Sequence, residues 1–68
     1  MSITVTLNGK QTHLENVQTV ADLLRWRGLT PSLVAVEHNG TIVPREAFDS
    51  WQIAEGDRLE VVQFVGGG

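Results

Sequence analysis

Ser2-Ile3-Thr4-Val5-Thr6-Leu7-Asn8-Gly9-Lys10-Gln11-Thr12-His13-Leu14 opens the chain and sets its architecture. Ile3, Val5 and Leu7 alternate with Thr4 and Thr6, the period of two expected of a strand with one buried face. Asn8-Gly9 supplies the two positive-φ positions of a tight hairpin turn, so Lys10 to Leu14 return antiparallel to the first strand. The next signal has a helical period. Thr19 offers a capping hydroxyl, Asp22 completes an acidic form of the capping box, and Val20, Leu23 and Leu24 share one face. Arg25 and Arg27 suit the negative end of the helix dipole, and Gly28 suits the left-handed position that ends it.

Beyond the helix, Thr30-Pro31-Ser32 breaks the chain before Leu33, Val34, Ala35 and Val36, an apolar run whose β-branched residues favour a strand. Asn39-Gly40 predicts a second hairpin turn into Thr41-Ile42-Val43, with Pro44 ending the pairing. Between Arg45 and Trp51 an irregular or 3₁₀-like turn is expected, with Phe48 and Trp51 folded back over the sheet edge. Glu55-Gly56-Asp57 reads as a turn, and Arg58 to Val65 as the longest strand, running into Gly66-Gly67-Gly68. The order predicts an α+β fold of two layers, a mixed sheet of four to five strands packed on one helix. In the last strand Leu59 and Val61 alternate with Glu60, Val62 and Phe64. Apolar groups on both faces suit a central strand, parallel to the first, whose outer face presents Val62 and Phe64 beside Thr4 and Thr6. Val62, Phe64 and the adjoining Val65 form the expected partner-binding patch.

Composition narrows the function. A chain of 68 residues holds one small domain, and a domain of this size has a stability of only a few kcal/mol. There is no cysteine, so neither a disulfide nor a thiol nucleophile is available. Five Lys and Arg residues, scattered within a net charge of −3, form no basic stripe, and nucleic acid is not an expected partner. The opening residues carry no leader pattern and no apolar run approaches a membrane span, so a cytoplasmic protein without a membrane partner is expected. His13 and His38 lie in separate strands without other ligands at metal spacing; they read as surface residues, and no metal is expected. The dispersed carboxylates read as a solvated acidic surface, and Trp26 and Trp51 as packing residues. Arg45 after Pro44 is either a partner contact or the donor of a turn-stabilising hydrogen bond.

Four features in order, the Asn8-Gly9 hairpin, Asn39-Gly40-Thr41-Ile42-Val43-Pro44-Arg45, the Glu55-Gly56-Asp57 turn and the strand entering terminal glycines, resemble the ThiS family of thiamine-biosynthesis sulfur carriers. That family lies within the ubiquitin-like β-grasp superfamily, and the resemblance covers essentially the whole chain. It implies a β-grasp domain over residues 1–65 and a flexible glycine tail over residues 66–68. It further implies a protein that is not an enzyme and binds no cofactor. An E1-like adenylyltransferase (ThiF-like) would use ATP to activate the Gly68 carboxylate. A sulfur donor such as a cysteine desulfurase would turn it into a thiocarboxylate, and thiazole synthase (ThiG-like) would take the sulfur. The free protein is expected to be a monomer.

Elementary chemistry points to the same atoms. A carboxylate becomes an electrophile only when one oxygen is made a leaving group, and attack on the activated carbonyl needs an open path. Gly66, Gly67 and Gly68 have no Cβ to obstruct it and can pass through a narrow channel. Ordering three such residues costs roughly 3–6 kcal/mol. A docking surface must offset that loss, and burial of Phe64, about 150–250 Å² of surface, is worth several kcal/mol at roughly 25 cal/mol per Å². Two other readings use the same residues differently. One is a carrier like the molybdopterin synthase small subunit, although such relatives are usually longer and Val43-Pro44-Arg45 favours the thiamine carrier. The other is a ubiquitin-like interaction module working through its sheet alone. Conjugation to proteins would share the activation step.

Overall fold

Asn8 and Gly9 have φ of 50° and 81°, the pair of left-handed residues that folds β1 (Ser2–Leu7) back on β2 (Lys10–Glu15). The structure, a computed structural model, describes residues 1–65. After β2 the chain enters helix α1 (Val20–Arg27), then β3 (Val34–His38), β4 (Thr41–Ile42) and β5 (Arg58–Gln63). The five strands lie in the order β2-β1-β5-β3-β4. β5 is central, parallel to β1 and antiparallel to β3. The two-layer α+β β-grasp architecture is the one expected, with the sheet at its five-stranded limit.

The helix forms for the reasons its sequence predicts, with help from afar. Thr19 accepts from the Asp22 N–H at 3.1 Å, and the Asp22 carboxylate accepts from the Gln18 and Thr19 N–H groups at 3.0 and 3.2 Å. The Val20 and Ala21 N–H groups donate to the carbonyls of Trp51 and Phe48. The loop after β4 therefore satisfies helix donors that would otherwise be orphaned. Gly28, at φ 71°, closes the helix in the left-handed conformation.

Val5, Leu7, Leu14, Val34, Val36 and Leu59 from the sheet meet Val20, Ala21, Leu23 and Leu24 from the helix in one core. Burial of each large aliphatic side chain contributes about 1.5–3 kcal/mol. Phe48 lies inside this core and Trp51 packs against it, beside the helix start, with the Trp51 indole reaching His38 on β3.

Several expectations need correction. Leu33 belongs to a 3₁₀ turn, Pro31–Leu33, and is exposed, because the proline sets φ for a turn and the strand begins one residue later. Trp26 is also exposed, on the helix face away from Leu23 and Leu24. His38 is largely enclosed rather than a surface residue. β5 ends at Gln63, two residues before Val65. Among the described residues no helix is long and apolar enough to cross a membrane.

Candidate functional site

The stretch of interest is where β5 leaves the sheet. β1 pairs with β5 only at Thr6–Arg58 and Leu7–Leu59, after which β1 turns away. β3 continues alongside, pairing Ala35 with Val62 and Val34 with Gln63. The register therefore puts Val62 beside Ala35, and the Phe64 N–H donates to the Leu33 carbonyl at 2.8 Å. This corrects the expected neighbours. Thr4 and Thr6 lie further back along the sheet, because in a parallel pair with Thr6 opposite Arg58 nothing on β1 reaches Val62.

Both sides of this root are held by side chains. On the β1 side, Asn8 donates its backbone N–H to the Leu59 carbonyl at 2.8 Å. Its Oδ1 accepts from the Val61 N–H at 2.7 Å, and its Nδ2 donates to the Val61 carbonyl at 3.1 Å. On the β3 side, Arg45 donates from Nε to the Pro31 carbonyl at 3.0 Å and from a terminal nitrogen to the Val34 carbonyl at 2.7 Å. Of the two roles open to Arg45, the turn-stabilising one is thus realised. Val65, past the last held amide, is 95% exposed. Gly66, Gly67 and Gly68 lie outside the described residues.

The outer sheet face beside the root carries apolar side chains that the core does not use. Val62 is 58% exposed, Phe64 50% and Ile42 65%. An open groove of about 760 Å³ runs between Ile42 and Val62, lined also by Ala35, Glu37, Arg58 and Glu60. Ile42 escaped the sequence reading, although the inward Val43 beside it, 3% exposed, implies by alternation that Ile42 faces out. Glu37 and Glu60 stand directly opposite one another on β3 and β5, so the patch is apolar with an acidic centre.

A second polar cluster lies at the other end of β3. The Trp51 indole N–H donates to His38 Nδ1 at 3.0 Å, and His38 Nε2 lies 2.7 Å from Asp57 Oδ2. An indole nitrogen only donates, so Nδ1 is the acceptor and Nε2 carries the proton to Asp57. Asp57 also accepts from the Ala54 N–H at 2.8 Å and from Asn39 Nδ2 at 3.1 Å. Desolvation pushes the Asp57 carboxyl up, but the hydrogen bonds from His38, Asn39 and the Ala54 N–H outweigh it, and the carboxyl titrates below its ordinary 3.8. With every partner committed, this cluster ties β3, the Trp51 loop and the Glu55-Gly56-Asp57 turn together rather than presenting a reactive group. His13, by contrast, is exposed and sits 3.1 Å from Glu15. Among the described residues no three His, Asp or Glu side chains lie together as metal ligands would.

A mixed sheet whose central last strand lies parallel to the first and ends on an exposed apolar patch, packed on one helix, defines the class, a ubiquitin-like β-grasp domain. The sequence pattern of the ThiS family matches residues 5–68. The sulfur carrier protein ThiS of Bacillus subtilis is 36% identical over 63 residues, which are 91% of this chain and 96% of that protein. A crystal structure of the thiamine biosynthesis protein ThiS from Geobacter metallireducens superposes with a TM-score of 0.80 at 35% identity, covering 97% of this chain and all of that one. A thiazole synthase of Paramagnetospirillum magneticum is 39% identical over 62 residues, and there this chain spans only 19% of the relative's length. The chain belongs to the ThiS family of small ubiquitin-like sulfur carriers.

Proposed function

We propose that the protein carries sulfur for thiamine biosynthesis as a thiocarboxylate on Gly68 and donates it to a thiazole synthase. A carboxylate oxygen of Gly68 attacks the α-phosphorus of ATP held by a ThiF-like E1 enzyme, pyrophosphate leaves, and an acyl-adenylate results. A hydrosulfide ion then attacks the carbonyl carbon and AMP departs; where the sulfur arrives as the persulfide of a donor such as a cysteine desulfurase, the persulfide sulfur attacks, AMP departs, and a thiol reduces the resulting acyl disulfide to release the thiocarboxylate. Val62, Phe64 and Val65, with Ile42 beside them, supply the docking surface that offsets the cost of ordering Gly66, Gly67 and Gly68.

The single observation that carries this reading is the placement of β5, which ends beside an exposed apolar patch with Val65 reaching into solvent. The similarity to a segment of a protein named thiazole synthase supports that enzyme as the acceptor. The test is intact mass spectrometry after incubation with ATP, the host's E1-like enzyme and a sulfide source. The expected result is a mass gain equal to exchange of one oxygen for sulfur, absent when Gly68 is deleted and strongly slowed in Phe64→Asp. No gain with an enzyme shown to be active would overturn it.

A further inference from the structure

We propose that Asn8 is a positioning residue for the C-terminal tail, its side chain replacing the missing continuation of β1 and fixing the direction in which β5 leaves the sheet. The inference rests on the carrier reading above. Residues of a parallel strand beyond Leu7 would have accepted from the Val61 N–H and donated to the Val61 carbonyl. The Asn8 amide provides the same acceptor and donor, at 2.7 and 3.1 Å, from a residue 53 positions away in sequence. The hairpin alone does not explain this choice. At φ 50° the turn asks for a residue tolerant of the left-handed region, and glycine meets that need without any side chain.

The consequence concerns the root of the tail. The Phe64 N–H is held on the opposite edge by the Leu33 carbonyl, so with Asn8 in place the segment from Val61 to Phe64 is gripped from both sides. Without the Asn8 amide, β5 beyond Leu59 keeps backbone hydrogen bonds on the β3 edge only, with Val61 packed on the core, and gains freedom to swing about that edge. Each orientation the root gains is one from which the Gly68 carboxylate misses the activating site, and such loss of alignment lowers the rate of reaction more than it weakens docking.

Asn8→Gly keeps the turn and deletes only the clamp, while Asn8→Asp keeps the acceptor for the Val61 N–H but sets a carboxylate oxygen against the Val61 carbonyl. Amide exchange and steady-state thiocarboxylate formation are compared for the three proteins. Affinity for the E1-like enzyme is measured on forms of each protein ending at Val65. In Asn8→Gly, protection of the Val61 N–H should fall by about tenfold or more while Val5 and Leu14 keep theirs. The kcat/KM for thiocarboxylate formation should fall by about tenfold with affinity of the shortened form unchanged, and Asn8→Asp should lie between. Unchanged kcat/KM in Asn8→Gly overturns the proposal, as does an equal loss of affinity in the shortened form, which assigns the effect to the docking face. A wild-type protein that is never modified removes the carrier reading itself, a result distinct from a defect confined to the variant.

Discussion

Replacing His38 by alanine should destabilise the domain by about 2–3 kcal/mol, out of a total expected to be only a few. The imidazole joins three segments: it belongs to β3, accepts from the Trp51 indole at 3.0 Å and meets Asp57 at 2.7 Å. A neutral hydrogen bond contributes about 1 kcal/mol and one to a charged carboxylate about 1.5–3. The His38 and Asp57 side chains are 16% and 17% exposed, so water recovers part of the loss, and Asp57 retains its bonds from Asn39 and Ala54. For a domain of this size that loss lowers Tm by roughly 10–20 °C. Urea unfolding followed by tryptophan fluorescence measures it as a lower midpoint at constant slope. A double-mutant cycle with Trp51→Phe, which keeps an aromatic side chain and removes the N–H, should give a coupling of about 1 kcal/mol between the two positions. A change below about 0.5 kcal/mol in His38→Ala would refute the reasoning, since it would place the cluster among surface contacts of no structural consequence.

Two further effects follow from the same geometry. Because the Asp57 carboxyl titrates below its ordinary 3.8 in the folded protein, its ionised form adds stability that is complete above that value and is lost as pH falls through the lower folded value. Acid unfolding of the wild type should therefore steepen below about pH 4, and Asp57→Asn should flatten that part of the curve, as urea midpoints at successive pH values will record. Thr19→Ala removes the acceptor for the Asp22 N–H at 3.1 Å and should cost about 1 kcal/mol, with Thr19→Ser restoring most of it in the same unfolding assay.

Signals that act within four residues are legible in the chain itself. The Thr19–Asp22 capping box, the left-handed Gly28, the two Asn-Gly turns and the alternation of Leu59 and Val61 with Val62 and Phe64 depend on neighbours that the sequence places side by side. The position of β5 is also within reach, since apolar groups on both faces of one strand suit only a centre. Trp26 misleads because aromatic character alone does not say which face of a helix a residue occupies.

What tertiary structure alone decided involves contacts between residues far apart in the chain. Hydrophobic alternation says which face of β5 turns inward but not how far β5 slides along β1, and that slide put Val62 beside Ala35 instead of Thr4 and Thr6. The enclosure of His38 needed Trp51 and Asp57 to arrive from two different loops. Asn8 had a complete local explanation as a turn residue, so nothing in its surroundings announced the two bonds to Val61. Local sequence thus determined the elements and their buried faces, because conformational preference is a short-range property. The grip on the end of β5 arose only in the fold, because hydrogen-bond partners of a central strand are chosen by register, and register is settled by packing the whole sheet on the helix.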